Sequence, residues 1–293
     1  MSDKAYAGVV LLISVAVASL LVLATQVAPS SPAFSIMAQC TLLAFTFQWL
    51  AFIPAYIMQT ERYYDLTGGM SFIVITFYGL YSQTQLSITS ILLAAMVLAW
   101  SARLGTFLFK RIVKDGSDNR FAEIKPNKYR FFSAWTLQGL WVVVTSGAAL
   151  TVITSQQQSH LSVLTLVGAL LWLIGFSLES VADWQKFQFK HDPKNKQKFI
   201  QHGLWAYSRH PNYFGEIILW FGVALAAYPA LQGWQHVTLI SPFFVTLLLT
   251  KISGIPLLED KADQRWGTQQ DYQAYKTKTP VLVPRFRSGS SGA

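Results

Sequence analysis

The sequence predicts an all-α, polytopic membrane protein, and three observations carry that prediction. Apolar runs near or above the roughly 20 residues that span a bilayer recur from one end of the chain to the other. Only 13% of the residues are charged, while 52% are hydrophobic and 14% aromatic. Soluble domains carry about twice that charged fraction. Lys and Arg crowd alternate connections and are missing from those between them.

The first run, 5–27, has no small-residue cleavage site and reads as a retained helix rather than a signal peptide. The second, 34–58, contains Cys40. As the single cysteine it excludes an internal disulfide and a cysteine-based zinc site, and it suits a small core or lipid-facing position. The third run, 70–81, is short and follows Gly68-Gly69, so it is tilted, re-entrant or merged with the fourth. Runs at 88–109, 132–153, 161–182, 213–231 and 237–255 bring the count to eight, with seven as the alternative. The end, 288–293, is a flexible low-complexity tail.

Charge placement tests the count. Lys110, Arg111, Lys114, Arg120, Lys125, Lys128 and Arg130 fill the fourth-to-fifth connection. Lys186, Lys190, Lys194, Lys196, Lys198 and Arg209 fill the sixth-to-seventh, and Lys261, Arg265, Lys276, Lys278, Arg285 and Arg287 the C-terminal segment. Connections 28–33, 82–86, 155–159 and 232–235 contain no Lys or Arg. The positive-inside rule then puts both termini and the basic segments in the cytoplasm, which requires an even number of spans. The net charge of +9 thus has a topological cause, and a nucleic-acid partner is not expected. No Gly-x-Gly-x-x-Gly, Walker or His-Glu-x-x-His pattern is present, so neither a Rossmann domain nor that zinc site is expected.

The densest chemistry lies at 202–216, His-Gly-Leu-Trp-Ala-Tyr-Ser-Arg-His-Pro-Asn-Tyr-Phe-Gly-Glu, just before a span. Pro211 suits the first turn of a helix, where its missing N–H is no loss. Free N–H groups at such an end stabilise phosphate or carboxylate, and Arg209 adds a planar fork that matches phosphate. Glu216 lies one turn further in, where a carboxylate needs a partner. Upstream, Glu179 and Asp183 share one helix face at i, i+4, and Lys186 and Lys190 continue it. Carboxylates are unusual at the basic end of a span; they accept from a nucleotide, or they form a solvated helix end laced with ion pairs. Arg103, inside the fourth run, must pair, line a polar cavity or snorkel.

Residues 203–216 resemble the signature of the steroid 5α-reductase C-terminal domain family, which has a bacterial membrane branch. A shorter form, Arg-His-Pro-x-Tyr-x-Gly, is shared with isoprenylcysteine carboxyl methyltransferases and sterol reductases. Glu61-Arg62-Tyr63-Tyr64-Asp65-Leu66-Thr67-Gly68, Ser253-Gly254-Ile255-Pro256-Leu257-Leu258-Glu259, and the tail residues Tyr272, Tyr275 and Pro284 agree with that family as well. The resemblance implies one membrane-embedded reductase-like domain over 1–287 in a bacterial inner membrane. Its cofactor half is 109–287, with a cavity facing the cytoplasm.

The resemblance implies NADPH as cofactor. Asn212, Tyr213 and Glu216 would take the nicotinamide end, with Tyr207, Arg209 and His210 nearer the phosphates. Asp183 and Lys190 fall at cofactor-contacting positions, with Glu179 where the steroid enzymes have Asn; Glu259 and Tyr275 complete the set. Asp65 falls near the family's glutamate, where a neutral carboxylic acid could donate to the substrate carbonyl as negative charge develops. The family's tyrosine position, counted back from Arg103, holds Trp100, so Tyr64 or Tyr78 could serve instead. A turn and interfacial aromatics are the structural alternative for 63–68.

The resulting expectation is an NADPH-dependent reduction of a carbonyl-conjugated C=C bond. The substrate would be a steroid- or isoprenoid-like lipid entering from the bilayer, with no obligate protein partner. An S-adenosylmethionine-dependent methyltransferase and a non-catalytic lipid-binding protein are the alternatives. For the topology, a cysteine at Gln157 should react with an impermeant reagent added outside intact cells, and a cysteine at Lys125 should not. The reverse pattern would overturn the orientation.

Overall fold

The computed structural model of the chain describes residues 1–26, 35–116 and 118–285. The expected connection at 28–33, the tail at 288–293 and Arg287 lie outside the described residues. Among the described residues the protein is all helical, without strands. Its α-helices are α1 (Asp3–Ala24), α2 (Ile36–Ile57), α3 (Tyr64–Tyr81), α4 (Ile88–Asp115), α5 (Lys128–Ile153), α6 (Val163–His191), α7 (Pro211–Ala227), α8 (Ser241–Leu247), α9 (Ile255–Trp266) and α10 (Gln270–Lys278). Seven helical segments among the described residues are long and apolar enough to cross a membrane, which makes this an integral membrane protein. The short third run is not one of them. It forms α3, whose 18 residues reach about 27 Å at 1.5 Å per residue, just under a bilayer core.

Local chemistry sets where the helices begin. Ser2, Ser35, Ser87 and Asn127 cap α1, α2, α4 and α5, their side-chain oxygens accepting backbone N–H groups of the first turn. The last apolar run is not the single helix expected over 237–255. It is a 3-10 helix (Gly233–Ile240), then α8, then a π-helical stretch (Leu248–Ile252) leading to α9. Pro242 suits the first turn of α8, and Pro256 does the same for α9.

The chain forms two compact units, one of residues 1–169 with 223–241, the other of 170–222 with 242–293. In the first unit α5 is the buried centre, packed by α1, α2, α3, α4 and the 3-10 helix. Its C-terminal half is small and closely fitted, with Thr145, Ser146, Gly147, Ala148 and Ala149 all buried. Helices α3 and α4 run antiparallel and touch backbone to backbone, since a Cβ at Gly69 would lie 3.1 Å from Gly105 Cα.

One end of this unit is held by acids, each gripping groups from another connection. Asp3 binds Arg130 Nε (2.7 Å) and Asn127 Nδ2 (2.7 Å), which puts the start of α1 beside the start of α5. Glu61 accepts the Asp118 backbone N–H (2.8 Å) and pairs with Lys125. The N-terminus and the 110–130 connection therefore share an end, as the charge pattern expects.

Glu61 is 6% exposed. Burial pushes its carboxyl up, but the hydrogen bonds from Lys125 and the Asp118 N–H outweigh burial and hold it below its ordinary 4.5. A lowered carboxyl contributes stability above pH 4.5 and loses it as pH falls through the folded value. Glu61→Gln should cost about 1.5–3 kcal/mol at pH 7 and flatten the acid limb of stability against pH, read by thermal unfolding in detergent between pH 3 and 7. An acid limb as steep as wild type would show that Glu61 does not carry it.

Candidate functional site

The second unit contains the chemistry of 202–216. Helices α6 and α7 lie antiparallel at backbone contact, because each presents a glycine to the other. A Cβ at Gly175 would lie 2.5 Å from Leu219 N, and one at Gly215 would lie 2.5 Å from Glu179 N. Any larger residue would push the helices apart. This register brings the Glu179 turn onto the Gly215-Glu216 turn. Beyond it, Asn212 Nδ2 donates to Asp183 Oδ1 (3.2 Å). Glu179, Asp183 and Glu216 are buried. The i, i+4 pair on α6 thus meets the i, i+4 pair Asn212 and Glu216 on α7, where α7 begins at Pro211 as expected.

The loop before α7 is pinned to α6. Gly203 takes φ 62°, a left-handed conformation that glycine adopts without strain. It brings Leu204 N to Gln185 Oε1 (2.9 Å). Trp205, buried beside Ala182, donates through Nε1 to the Ala182 carbonyl (3.1 Å), and Lys186 Nζ sits 4.4 Å from its ring centre.

Arg209 and His210 share one partner. Glu259 on α9 takes Arg209 Nη1 at 2.5 Å and His210 Nε2 at 2.8 Å. Arg209's Nη1 is therefore committed to a carboxylate rather than turned outward to a phosphate. His210 is 4% exposed and stacks on Tyr213 with ring centres 5.7 Å apart. Burial lowers its pKa below the ordinary 6.5 despite the Glu259 contact, so the ring is neutral near pH 7. A neutral ring donating from Nε2 leaves Nδ1 as an acceptor. Among the described residues, buried His210 Nδ1 and Asn212 Oδ1 have no hydrogen-bond partner. Two acceptors at the start of α7 suit a ligand that brings N–H donors, as a carboxamide does.

Tyr275 on α10 donates to the Trp205 carbonyl (2.7 Å) and so braces the loop. Tyr207 is exposed, as is Lys190 near the end of α6. Residues 280–285 strap the motif: Arg209 N reaches Pro280 O (2.9 Å) and Arg285 N reaches Tyr207 O (3.0 Å). Ser208, fully buried, donates to Leu282 O (2.7 Å) and accepts His210 N–H (3.1 Å). Sequence reasoning assigned no role to Ser208 or Gln185. Ser208 sits inside the motif, but its partner lies 74 residues on.

The other expected residues lie in the first unit. Asp65 Oδ2 lies 3.4 Å from Arg111 Nη2 and 3.5 Å from Arg120 Nη2. Two guanidinium groups thus meet this side chain on one side. Both arginines had read only as topology-setting cations. The Tyr64 hydroxyl donates to the Ala134 carbonyl (2.9 Å) and its ring packs on Phe121 and Trp135, so it is committed to helix packing. The Tyr78 hydroxyl is held by Gln39. Asp65 and Trp100 line a common cavity of about 30 Å³ with Gln138 and Trp141. Arg103 is partly buried on α4, one residue before the cavity-lining Leu104.

The strap gives a direct test. Ser208→Ala removes its hydrogen bonds to the strap carbonyls Val281 O and Leu282 O and to His210 N–H, a hydrogen bond being worth about 1 kcal/mol. Hydrogen exchange over 280–285 should quicken by roughly tenfold relative to wild type. Unchanged exchange would mean that Ser208 does not hold the strap.

Comparison with known proteins agrees with parts of this picture. The 3-oxo-5-alpha-steroid 4-dehydrogenase 1 of Bos taurus is 36% identical over 69 residues, covering 24% of this chain and 26% of that protein. Its counterpart in Rattus norvegicus is 28% identical over 119 residues, covering 41% of this chain and 40% of that protein. The chain thus spans less than half the length of these relatives. No solved structure matches significantly. The family described as "Protein of unknown function (DUF1295)" matches residues 51–279. Because that match runs from within α2 past the end of α10, the chain belongs to the DUF1295 family.

Proposed function

We propose that the protein is an NADPH-dependent membrane reductase of a carbonyl-conjugated C=C bond in a lipophilic, steroid- or isoprenoid-like substrate. The observation that carries this reading is the pair of buried acceptors, Asn212 Oδ1 and His210 Nδ1, which have no partner among the described residues. The partial similarity to 3-oxo-5-alpha-steroid 4-dehydrogenase 1 supports the same reading.

The bound nucleotide would supply the hydride. The chain's own residues bind and orient. Asp183 holds the Asn212 amide by its Nδ2, which leaves Oδ1 to accept from a carboxamide N–H. Glu259 fixes His210 by its Nε2, which leaves Nδ1 for the same kind of donor. Glu179 and Glu216 add buried acceptors along the α6–α7 seam. Lys190 is the cation of the set exposed for a phosphate. In this reading the nucleotide arrives from the basic side and the lipid from the bilayer.

Titrating the detergent-purified protein with NADPH, NADH and S-adenosylmethionine tests the reading. NADPH should bind, and Glu216→Gln and Asn212→Leu should each weaken it by about 1–3 kcal/mol, roughly 5- to 150-fold. Binding of S-adenosylmethionine alone would indicate a methyltransferase. Binding of none of the three would indicate a non-catalytic lipid-binding protein.

A further inference from the structure

The positive-inside rule accounts for the missing Lys and Arg in alternate connections, but it places little constraint on acids. Yet 82–87, 154–162 and 228–240 contain no Asp or Glu either. Glutamine is the recurrent polar residue there instead, at seven positions. Helix α5 separates this neutral end of the first unit from the basic one. Its 26 residues span about 39 Å, more than a bilayer core.

At the neutral end the first unit has a hollow of about 200 Å³. Its polar walls come from Ser155, Gln157, Gln158, Ser159 and His160 of the α5–α6 connection and from Gln232, just before the 3-10 helix. These walls are cross-braced. Gln157 Nε2 lies 3.3 Å from Gln232 Oε1, Gln158 Nε2 lies 3.3 Å from Gln85 Oε1, and Ser159 Oγ lies 2.9 Å from Ser87 Oγ. Gln232 is held in turn, its backbone N–H donating to Gln235 Oε1 (2.9 Å). Segments far apart in the chain are thus interlocked around the hollow, where a connection that merely joins two spans needs no such partners.

The lining decides the ligand. None of the described residues around the hollow carries a carboxylate, an ammonium or a guanidinium, so neither a metal cation nor a phosphate finds a countercharge. Each amide presents two donors and an acceptor, and a serine hydroxyl presents both kinds. Reversing an amide exchanges its ends without removing either kind, so the mix stands whichever way the glutamines point. A ligand that donates and accepts at every polar atom matches such a lining, and the hydroxyls of a sugar do this. Val152, Pro229 and Ala230 border the same space and offer apolar surface to the C–H faces of a sugar ring. The volume lies below the roughly 300 Å³ at which pockets for drug-sized ligands begin, so it takes one ring rather than several.

We propose that this hollow is a binding site for a neutral carbohydrate ring, free or as the headgroup of a glycolipid. The site rests on the first unit alone and stands whether or not the chain binds a nucleotide.

The test uses the whole chain in phosphatidylcholine nanodiscs, because glucoside and maltoside detergents would themselves compete. Saturation-transfer NMR with methyl glucoside should show transfer to the ring protons. Gln157→Leu combined with Gln232→Leu should weaken binding by about fivefold or more, since two hydrogen-bonding groups are lost. Both side chains are exposed, and should the pair not fold, Gln157→Glu, of equal size, serves instead. Doping the discs with monoglucosyl diacylglycerol separates the two sources. Loss of the methyl glucoside signal in wild type assigns the site to a glycolipid headgroup, and an undiminished signal assigns it to a free sugar. Transfer that is absent, or equal in wild type and variants, would mean that the hollow holds only solvent and that the proposal is wrong.

Discussion

Backbone contact between helices is the constraint on which the candidate site rests. Inside a bilayer apolar side chains gain nothing by leaving lipid for protein, so helices associate through close packing and polar contacts. Gly175 and Gly215 let α6 and α7 touch main chain to main chain, and that contact fixes their register. The register then brings Asp183 to Asn212 and the Glu179 turn to the Glu216 turn. Gly69 and Gly105 do the same for α3 and α4, where the small cavity forms. In each unit the polar chemistry sits where glycines permit the closest approach.

Carboxylates are the second organising device, and they act by gathering donors from distant parts of the chain. Glu259 ties Arg209 and His210 to α9, and Asp65 faces Arg111 and Arg120. Glu61 joins Lys125 to the Asp118 backbone. These acids lie largely buried among the basic segments, where an unpaired carboxylate is costly. Their pairing explains their presence. It also means that the excess of Lys and Arg does more than set orientation, since part of it is used to lock connections.

The two buried acceptors at the start of α7 follow from this arrangement. Glu259 uses one side of His210 and Asp183 uses one side of Asn212, so each residue is oriented by a second group, and its other atom is buried without a partner among the described residues. Orientation by an outer partner is what a preorganised binding site needs. The strap of 280–285 adds rigidity from the opposite direction, through backbone carbonyls that reach Ser208 and Arg209.

Much of this was legible in the sequence because it is local. Hydropathy over about 20 residues marks a span wherever its partners are. Pro211 starts α7, and Glu179 and Asp183 share a face, because the rules concerned reach no further than one helical turn. The break in the last span was missed although Pro242, Gly254 and Pro256 carry its signal, since an unbroken apolar run outweighed them. What only the tertiary structure decided is which group meets which. Arg209 read as a phosphate ligand, yet its Nη1 is held by a carboxylate 50 positions away; Tyr64 read as a proton donor, yet its hydroxyl is spent on Ala134, 70 positions away. Gln138, a carboxamide buried in an apolar run, carried the one local hint of the cavity. Its significance depends on α3 and α4 closing around it, and long-range packing of that kind leaves no periodic trace in the residues themselves.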